Sequence, residues 1–501
     1  MEPQKLTEYE RRRLENIKKN EEMLASLKVN SRLNDLSAAT KRQRAQTKSY
    51  KNSPEKKSKT ETPIVIRRSL RARGMPPNAS TADGLKDGFD ETTLKIPRQA
   101  HMMPKKSRPV MGTITISDAY IGTEWDKKLI DKILSVSKKS QLSCIGGVKE
   151  ETDGGFSDLA VGVSENEGTG CPEMKNKLLG SIDVEKLALE PENVARVVPG
   201  RIMSVRFFPT ADMTTIVVGN KYGNVGFWNV DAEKEDGDGI YVYQPHSAPV
   251  SGISLQPFLL SKMFTSCYDG FIRLMDVEKE VFDLVYSSEY AIFSISQRPD
   301  DVRSLYFGEG PGELNIWDER AGKSSFSFKL HEDKINTIDF SSENSNIMAT
   351  SSTDGTASIW DLRKIDSNKL KSLKTISHKR AVYSAYFSPS GSCLATTSVD
   401  DIVGIVSGAN YEDISMIYHY NQTGRWISTF RAIWGWDDSY IFIGNMRRGV
   451  DVLSSISRNI IATLQSEHMS AIPCRFDAHP YKVGMLAGAT SGGQVYIWTL
   501  D

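Results

Sequence analysis

The chain is 501 residues long, and its 63 Lys and Arg balance its 63 Asp and Glu. The balance hides an asymmetry: residues 1–110 carry 26 basic against 13 acidic side chains, and the remainder carries 37 against 50, a pattern of nucleic-acid-binding and nuclear proteins. The absence of a long apolar run and the charged N-terminus read as a soluble intracellular chain with no membrane span, and five scattered cysteines without a CxxC pair argue against a disulfide framework.

Residues 1–110 read as a basic, largely disordered N-terminal tail with a short helix. Thr7 followed by Glu10 is a capping-box pattern, and Leu14, Ile17, Leu24 and Leu27 give a thin apolar stripe, so an amphipathic helix is expected over about 5–36. Further on, Lys41-Arg42-Gln43-Arg44, Lys56-Lys57-Ser58-Lys59 and Arg67-Arg68-Ser69-Leu70-Arg71-Ala72-Arg73 are basic clusters set between prolines. They suit nuclear targeting or phosphate contact, against the blander reading of a solvated linker. Residues 111–134 show one short strand pattern at 113–116 and a helix at 125–134. Residues 135–181, rich in Gly, Ser and Glu, are expected to be a disordered insertion.

Residues 182–501 are repetitive. In the stretch 328–363, Ile335, Ile338 and Phe340, then the run 348–352, then Ala357, Ile359 and Trp360 form three short strands, the last two joined by the tight turn Asp354-Gly355. The position of Trp360 recurs at Trp228, Met275, Trp317, Val406, Leu453 and Trp498, at spacings of 42 to 47 residues. One such unit cannot bury its own apolar face, and a period in the forties closing on Trp-Asp marks a WD-repeat blade. The fold class is therefore all-β, a seven-bladed WD-repeat β-propeller. The last repeat stops after its third strand, so ring closure needs a strand from upstream, and residues 187–198 are the candidate.

No catalytic constellation, cofactor site or metal site is expected. Gly308-Glu309-Gly310-Pro311-Gly312 falls in a strand-to-strand turn and lacks the Lys-Ser/Thr and helix of a phosphate loop. His468, Cys474 and His479 lack a zinc-finger spacing. His331 with Asp354, His246 with Asp269 and His378 with Asp400 repeat at blade positions where such pairs satisfy one another across strands.

Two motifs place an Arg two residues after Trp-Asp: Trp317-Asp318-Glu319-Arg320 and Trp360-Asp361-Leu362-Arg363. The pattern resembles the box by which WD-repeat substrate receptors dock on the damaged-DNA-binding adaptor of cullin–RING ubiquitin ligases. The blander reading is an Arg that stabilises its own turn.

Tyr9-Glu10-Arg11-Arg12-Arg13-Leu14-Glu15-Asn16-Ile17, Arg67-Arg68-Ser69-Leu70-Arg71, Ile359-Trp360-Asp361-Leu362-Arg363 and Asn421-Gln422-Thr423-Gly424-Arg425-Trp426 carry a resemblance covering nearly the whole chain. It resembles the WD-repeat family of damage-specific DNA-binding protein 2 and WD-repeat protein 76, nearer the latter branch. The resemblance implies a nuclear propeller that binds double-stranded DNA on one face, with preference for damaged or base-modified DNA. It also implies a role as a cullin–RING substrate receptor, with chromatin proteins as further partners. In this family the loops before each first strand share a rim with those between second and third strands. Arg201, Lys221, Lys334, Lys379, Arg380, Arg425, Arg447 and Arg448 fall in such loops and would converge around one mouth. Gly424-Arg425-Trp426 aligns with the hairpin that wedges an aromatic side chain into a lesion, so Trp426 is a candidate stacking residue, against the alternative that it packs on its own blade. A second functional class stays open: a protein-interaction scaffold or ligase receptor for a protein substrate, without direct DNA recognition.

Overall fold

The computed structural model describes residues 18–19, 111–122, 125–145, 182–232, 237–256, 259–365, 370–424 and 426–500. Lys18 and Lys19 are helical; otherwise the expected helix at 5–36 and the basic clusters lie outside the described residues, as do residues 146–181, part of the acidic loop 231–238 and Arg425.

The residues from 182 onward form seven antiparallel sheets arranged as a seven-bladed β-propeller. Blade one spans 202–243, blade two 250–287, blade three 292–329, blade four 335–377, blade five 382–418, blade six 433–464, and blade seven starts at 473. All seven residues marked by the repeat stand in third strands, including Val406 in Ile402–Ser407 and Leu453 in Val450–Ser454, where the tryptophan is lost. Apolar alternation and a tight turn, with Asp401 and Arg448 in the left-handed region, are enough to make the strand there.

Ring closure comes from upstream, as expected. The last strand, Gln494–Leu500, pairs with Val194–Arg196 (Val194 opposite Tyr496) and with Leu187–Ala188 (Leu187 opposite Leu500). The chain's first propeller strands therefore cover the edge that its last strand would leave open. Seven apolar clusters sit between successive blades, from one led by Phe227, Val250 and Phe282 to one led by Val197, Trp228 and Val495 across the closure. First strands of neighbouring blades do not pair as a ladder. Side chains bridge them instead: the Phe387 N–H donates to Asp339 (2.7 Å), the Ala385 N–H to Thr337 Oγ1 (3.0 Å) and Trp434 Nε1–H to the Tyr386 carbonyl (2.9 Å).

The segment before the propeller departs from expectation in three ways. Only Ile114–Thr115 is a strand, added to the outer edge of blade two opposite Phe282 and Val281. Thr115 Oγ1 then accepts the Asp118 N–H at 3.1 Å and turns Ile116–Ala119 into a short helix. The second helix starts at Lys128, whose N–H is capped by Asp126 at 2.8 Å, and runs to Ile145, into the stretch expected to be disordered. Its buried face of Leu129, Ile130, Ile133 and Val136 packs on Phe208, Met213, Leu260 and Met263 of blades one and two. Buried Arg273 of blade two donates to the Gly112 carbonyl at 2.7 Å and anchors the segment's start.

Candidate nucleic-acid interface

Each turn between second and third strands touches the residues that lead into the next blade. The His246, Ser288, His331 and His378 N–H groups donate to the Gly223, Gly270, Gly312 and Gly355 carbonyls. These two sets of loops therefore lie on one face. The glycine-rich run at 308–312 is one such turn: Gly312 has φ +89°, and a Cβ there would run into the His331 carbonyl.

Behind these turns sit His-Asp pairs that hold the blades. In blade four, Trp360 Nε1–H donates to Thr350 Oγ1 at 2.8 Å, Thr350 meets His331 Nε2 at 2.7 Å, and His331 Nδ1 meets Asp354 at 3.0 Å. Burial pushes the Asp354 carboxyl up, but the hydrogen bonds from His331 and Thr356 outweigh it and hold it well below the usual carboxylate range. His246 meets Thr265 at 2.9 Å and Asp269 at 3.4 Å; His378 meets Thr396 at 3.0 Å and Asp400 at 3.6 Å. A pair not anticipated from sequence is His419 with Asp451, at 3.2 Å. Among the described residues, the group with metal-ligand spacing is His246, Cys267 and Asp269, whose ligand atoms lie within 4.8 Å of one another. It is one of these structural pairs plus a thiol that donates to the Ala248 carbonyl and that burial keeps protonated, so it is a poor ligand set. Cys474 and His479 are engaged elsewhere: the thiol meets the Ile472 carbonyl, and His479 Nδ1 accepts the N–H groups of Tyr481 and Lys482.

In six first strands the register slips at the second residue, at Met203, Ser251, Phe293, Asn336, Tyr383 and Cys474. Such a bulge re-aims a side chain. The first five of these residues line one cavity of about 310 Å³ at the mouth of the central channel. Of the expected cations, Arg201 and Lys334 line this cavity too, and the Lys334 ammonium lies 5.2 Å from the centre of the Phe293 ring. Lys221 joins from the adjoining turn, its N–H donating to the Arg201 carbonyl at 2.9 Å and its ammonium over Tyr222.

The other expected cations do not line the mouth. Lys379 and Arg380 are exposed on the rim at the entry to blade five. Arg447 and Arg448 are exposed on the second turn of blade six and line a separate cleft with Gln465, Ser466 and Glu467. Arg425 lies outside the described residues. The mouth also holds groups that were not anticipated: Arg431, Arg475 and Tyr268. Arg475 alternates with apolar neighbours in Pro473–Ala478 and reads as a stray polar in a core strand. The signal was its place near the start of a first strand, directly after the bulged residue, where Ser384 and Thr337 stand in blades five and four.

Among the described residues of 419–432, which link blades five and six, none is in a strand, where the resemblance implied a hairpin. The ends of this segment are tied down. The Asn421 amide donates to the Ser398 carbonyl at 2.8 Å, the Ser428 N–H to Ser491 Oγ at 2.9 Å, and Ser428 Oγ–H to the Ile202 carbonyl across the mouth at 3.3 Å. The tip between them carries Gly424 at φ +65° and Trp426, which is 89% exposed and does not pack on its own blade.

The two Trp-Asp-x-Arg motifs sit where third strands end, opposite in the sheet to the mouth. Trp317 and Trp360 are buried. Arg320 holds Asp318 at 3.1 and 2.8 Å, and Arg363 holds Asp361 at 3.0 Å through both nitrogens. The Arg320 hydrogen bonds hold the Asp318 carboxyl at about 2. Both guanidinium forks are thus used within their own turns, though both side chains stay exposed.

The family described as WD domain, G-beta repeat matches residues 322–361 and 370–406, each running from an outer strand through the next three strands. Across 98% of its length the chain is 28% identical to WD repeat-containing protein 76 of Xenopus laevis, covering 80% of that protein. It is 28% identical to DNA damage-binding protein cmr1 of Neurospora crassa, covering 98% of each chain. With DNA damage-binding protein CMR1 of Kluyveromyces lactis it shares 27% identity over 99% of each.

Proposed function

Because this chain is a WD-repeat protein similar along nearly its whole length to WD repeat-containing protein 76 and the cmr1 proteins, we propose that it is a nuclear DNA-binding propeller of the DNA-damage response. The observation that carries the reading is the mouth face. Cations from separate blades (Arg201 and Lys221, Lys334, Lys379 and Arg380, Arg447 and Arg448) stand on loops of one side of the ring. An anchored loop presents Trp426 beside the mouth, whose cavity it reaches through Gly424 and Ile427. Phosphate neutralisation by such cations positions a duplex, and an exposed indole can stack where a damaged or modified base leaves its neighbours poorly stacked. The name of the cmr1 relatives agrees with this reading. The test is charge reversal at Lys379, Arg380, Arg447 and Arg448. Duplex affinity is expected to fall and its salt dependence to flatten by about one unit of slope per lost phosphate contact; unchanged affinity in the quadruple variant overturns the reading.

A second reading rests on the other side of the ring. On adjacent blades, three and four, two arginines matched in their Asp pairing are exposed at the ends of third strands. They support a role as receptor for the damaged-DNA-binding adaptor of a cullin–RING ligase. The Arg320→Ala/Arg363→Ala variant should then lose the adaptor in a pulldown; retention at the wild-type level counts against it.

A further inference from the structure

The floor of the mouth holds two arginines, Arg431 and Arg475, which also line the next cavity down the channel with Asp339 and Asp477. Arg475 is 6% exposed, and its guanidinium donates to three carbonyls: Met203 at 2.9 Å, Cys474 at 3.1 Å, and Thr429. Arg431 reaches across to the Asn336 carbonyl at 3.1 Å, and its Nε is buried without a partner. Among the described residues neither guanidinium has a carboxylate within ion-pair distance, unlike Arg206, which holds Asp477 at 2.9 Å lower in the same channel. Burial, and then the charge of Arg431, draw the Arg475 guanidinium down to about 9, so the two cations sense each other. Leaving such a pair without a carboxylate in contact is costly in a cavity of low polarity. An arrangement of this kind is completed by an anion.

The size and walls of the cavity say which anion. Its volume of about 310 Å³ suits one nucleotide-sized group. The Tyr268 and Phe293 rings meet edge to face at 5.2 Å, and Tyr383 shares the cavity, so a base has aromatic surface to lie on. A phosphodiester within a strand carries one negative charge and brings a sugar on each side. A phosphomonoester carries a charge of about −1.5 to −2, offers three acceptor oxygens and is tethered on one side only. The Arg431 guanidinium and the remaining Nη2 of Arg475, at the bottom of a small cup, match the second.

We infer that the channel mouth is a binding pocket for a nucleotide bearing a terminal phosphomonoester, with Arg431 and Arg475 on the phosphate and Tyr268, Phe293 and Tyr383 along the base. The phosphomonoester can belong to a free mononucleotide or to the phosphorylated end of a DNA strand. The second source rests on the DNA-binding reading above; the first does not.

The test uses the full chain and two titrations. In the first, single-stranded oligonucleotides of one sequence carry a phosphate at the 5′ end, at the 3′ end or at neither. In the second, deoxyadenosine monophosphate is compared with deoxyadenosine. At least one phosphorylated strand should bind about tenfold tighter than the unphosphorylated one, and the monophosphate, but not the nucleoside, should compete. The Arg431→Gln variant should bring the ratio to about one with the thermal midpoint unchanged. Arg431 is the position to vary, because Arg475 ties three carbonyls and its loss endangers the fold. If all strands bind equally and the monophosphate does not compete, the inference is overturned while DNA binding stands. If the monophosphate binds and no strand does, the pocket stands with a free mononucleotide as its ligand and the DNA-binding reading falls. A ratio that survives in Arg431→Gln also overturns the assignment.

Discussion

Thr350 shows how much one hydroxyl holds in this protein. It accepts Trp360 Nε1–H, meets His331 Nε2, and is itself fully buried. Thr350→Val keeps the shape and strands two buried polar groups, which should cost about 3 kcal/mol; a denaturant midpoint within error of wild type would show that the set is ornamental. His479 makes a prediction about acid. It is fully buried, and its Nδ1 accepts two backbone N–H groups, from Tyr481 and Lys482. Burial, and then the charge of Lys482, lower it from 6.5 to about 4. A basic group depressed on folding binds fewer protons in the folded than in the unfolded chain between those values. Its contribution is therefore fully present above about pH 6.5 and is lost as pH falls toward 4. Between pH 6.5 and 5 the loss is about 2 kcal/mol at 1.36 kcal/mol per unit. His479→Gln can still accept from the backbone and does not titrate, so its stability should fall less over that interval; parallel curves for the two proteins would contradict the assignment.

At the scale of elements, the helix Lys128–Ile145 belongs to the propeller although it precedes it. Ile133 is 1% exposed against blades one and two, and Ile133→Ala should cost about 3 kcal/mol. A fragment starting at residue 182 would leave Phe208, Met213, Leu260 and Met263 bare, so it should unfold at lower denaturant than one starting at residue 111; equal midpoints would mean that the helix is a passenger. This element also marks where the sequence stopped being legible. The repeat was readable even where Trp is replaced by Val406 and Leu453, because alternation and turns at a fixed period survive the loss of any one side chain. Closure by residues 187–198 was readable because an unpaired last strand demands a partner. The helix end was not: Ser135, Ser137, Ser140 and Ser143 look like linker, and only contact with two blades makes Leu129, Ile130, Ile133 and Val136 a core face. At the mouth, Arg201 and Lys334 could be placed from their positions in the repeat. Arg431 and Arg475 could not, because a polar residue at the head of a first strand declares its role only when the ring brings the strand heads together.

For the whole molecule, the ring separates two surfaces. The mouth, its cations and Trp426 lie on the side of the second turns, and the Asp318-Arg320 and Asp361-Arg363 pairs lie at the ends of third strands. Contacts on one side should leave the other unaffected, so Arg320→Ala/Arg363→Ala should bind duplex DNA with wild-type affinity and salt slope. The measurement that tests the account most directly is duplex binding by residues 111–501 and by the full chain, titrated against salt, with plain, ultraviolet-treated and cytosine-modified duplexes in parallel. A DNA-binding propeller face should give submicromolar binding by residues 111–501, a steep salt slope, and tighter binding to at least one treated duplex. Binding that appears only when residues 1–110 are present would contradict it, placing DNA contact on the basic tail and leaving the propeller as a platform for proteins.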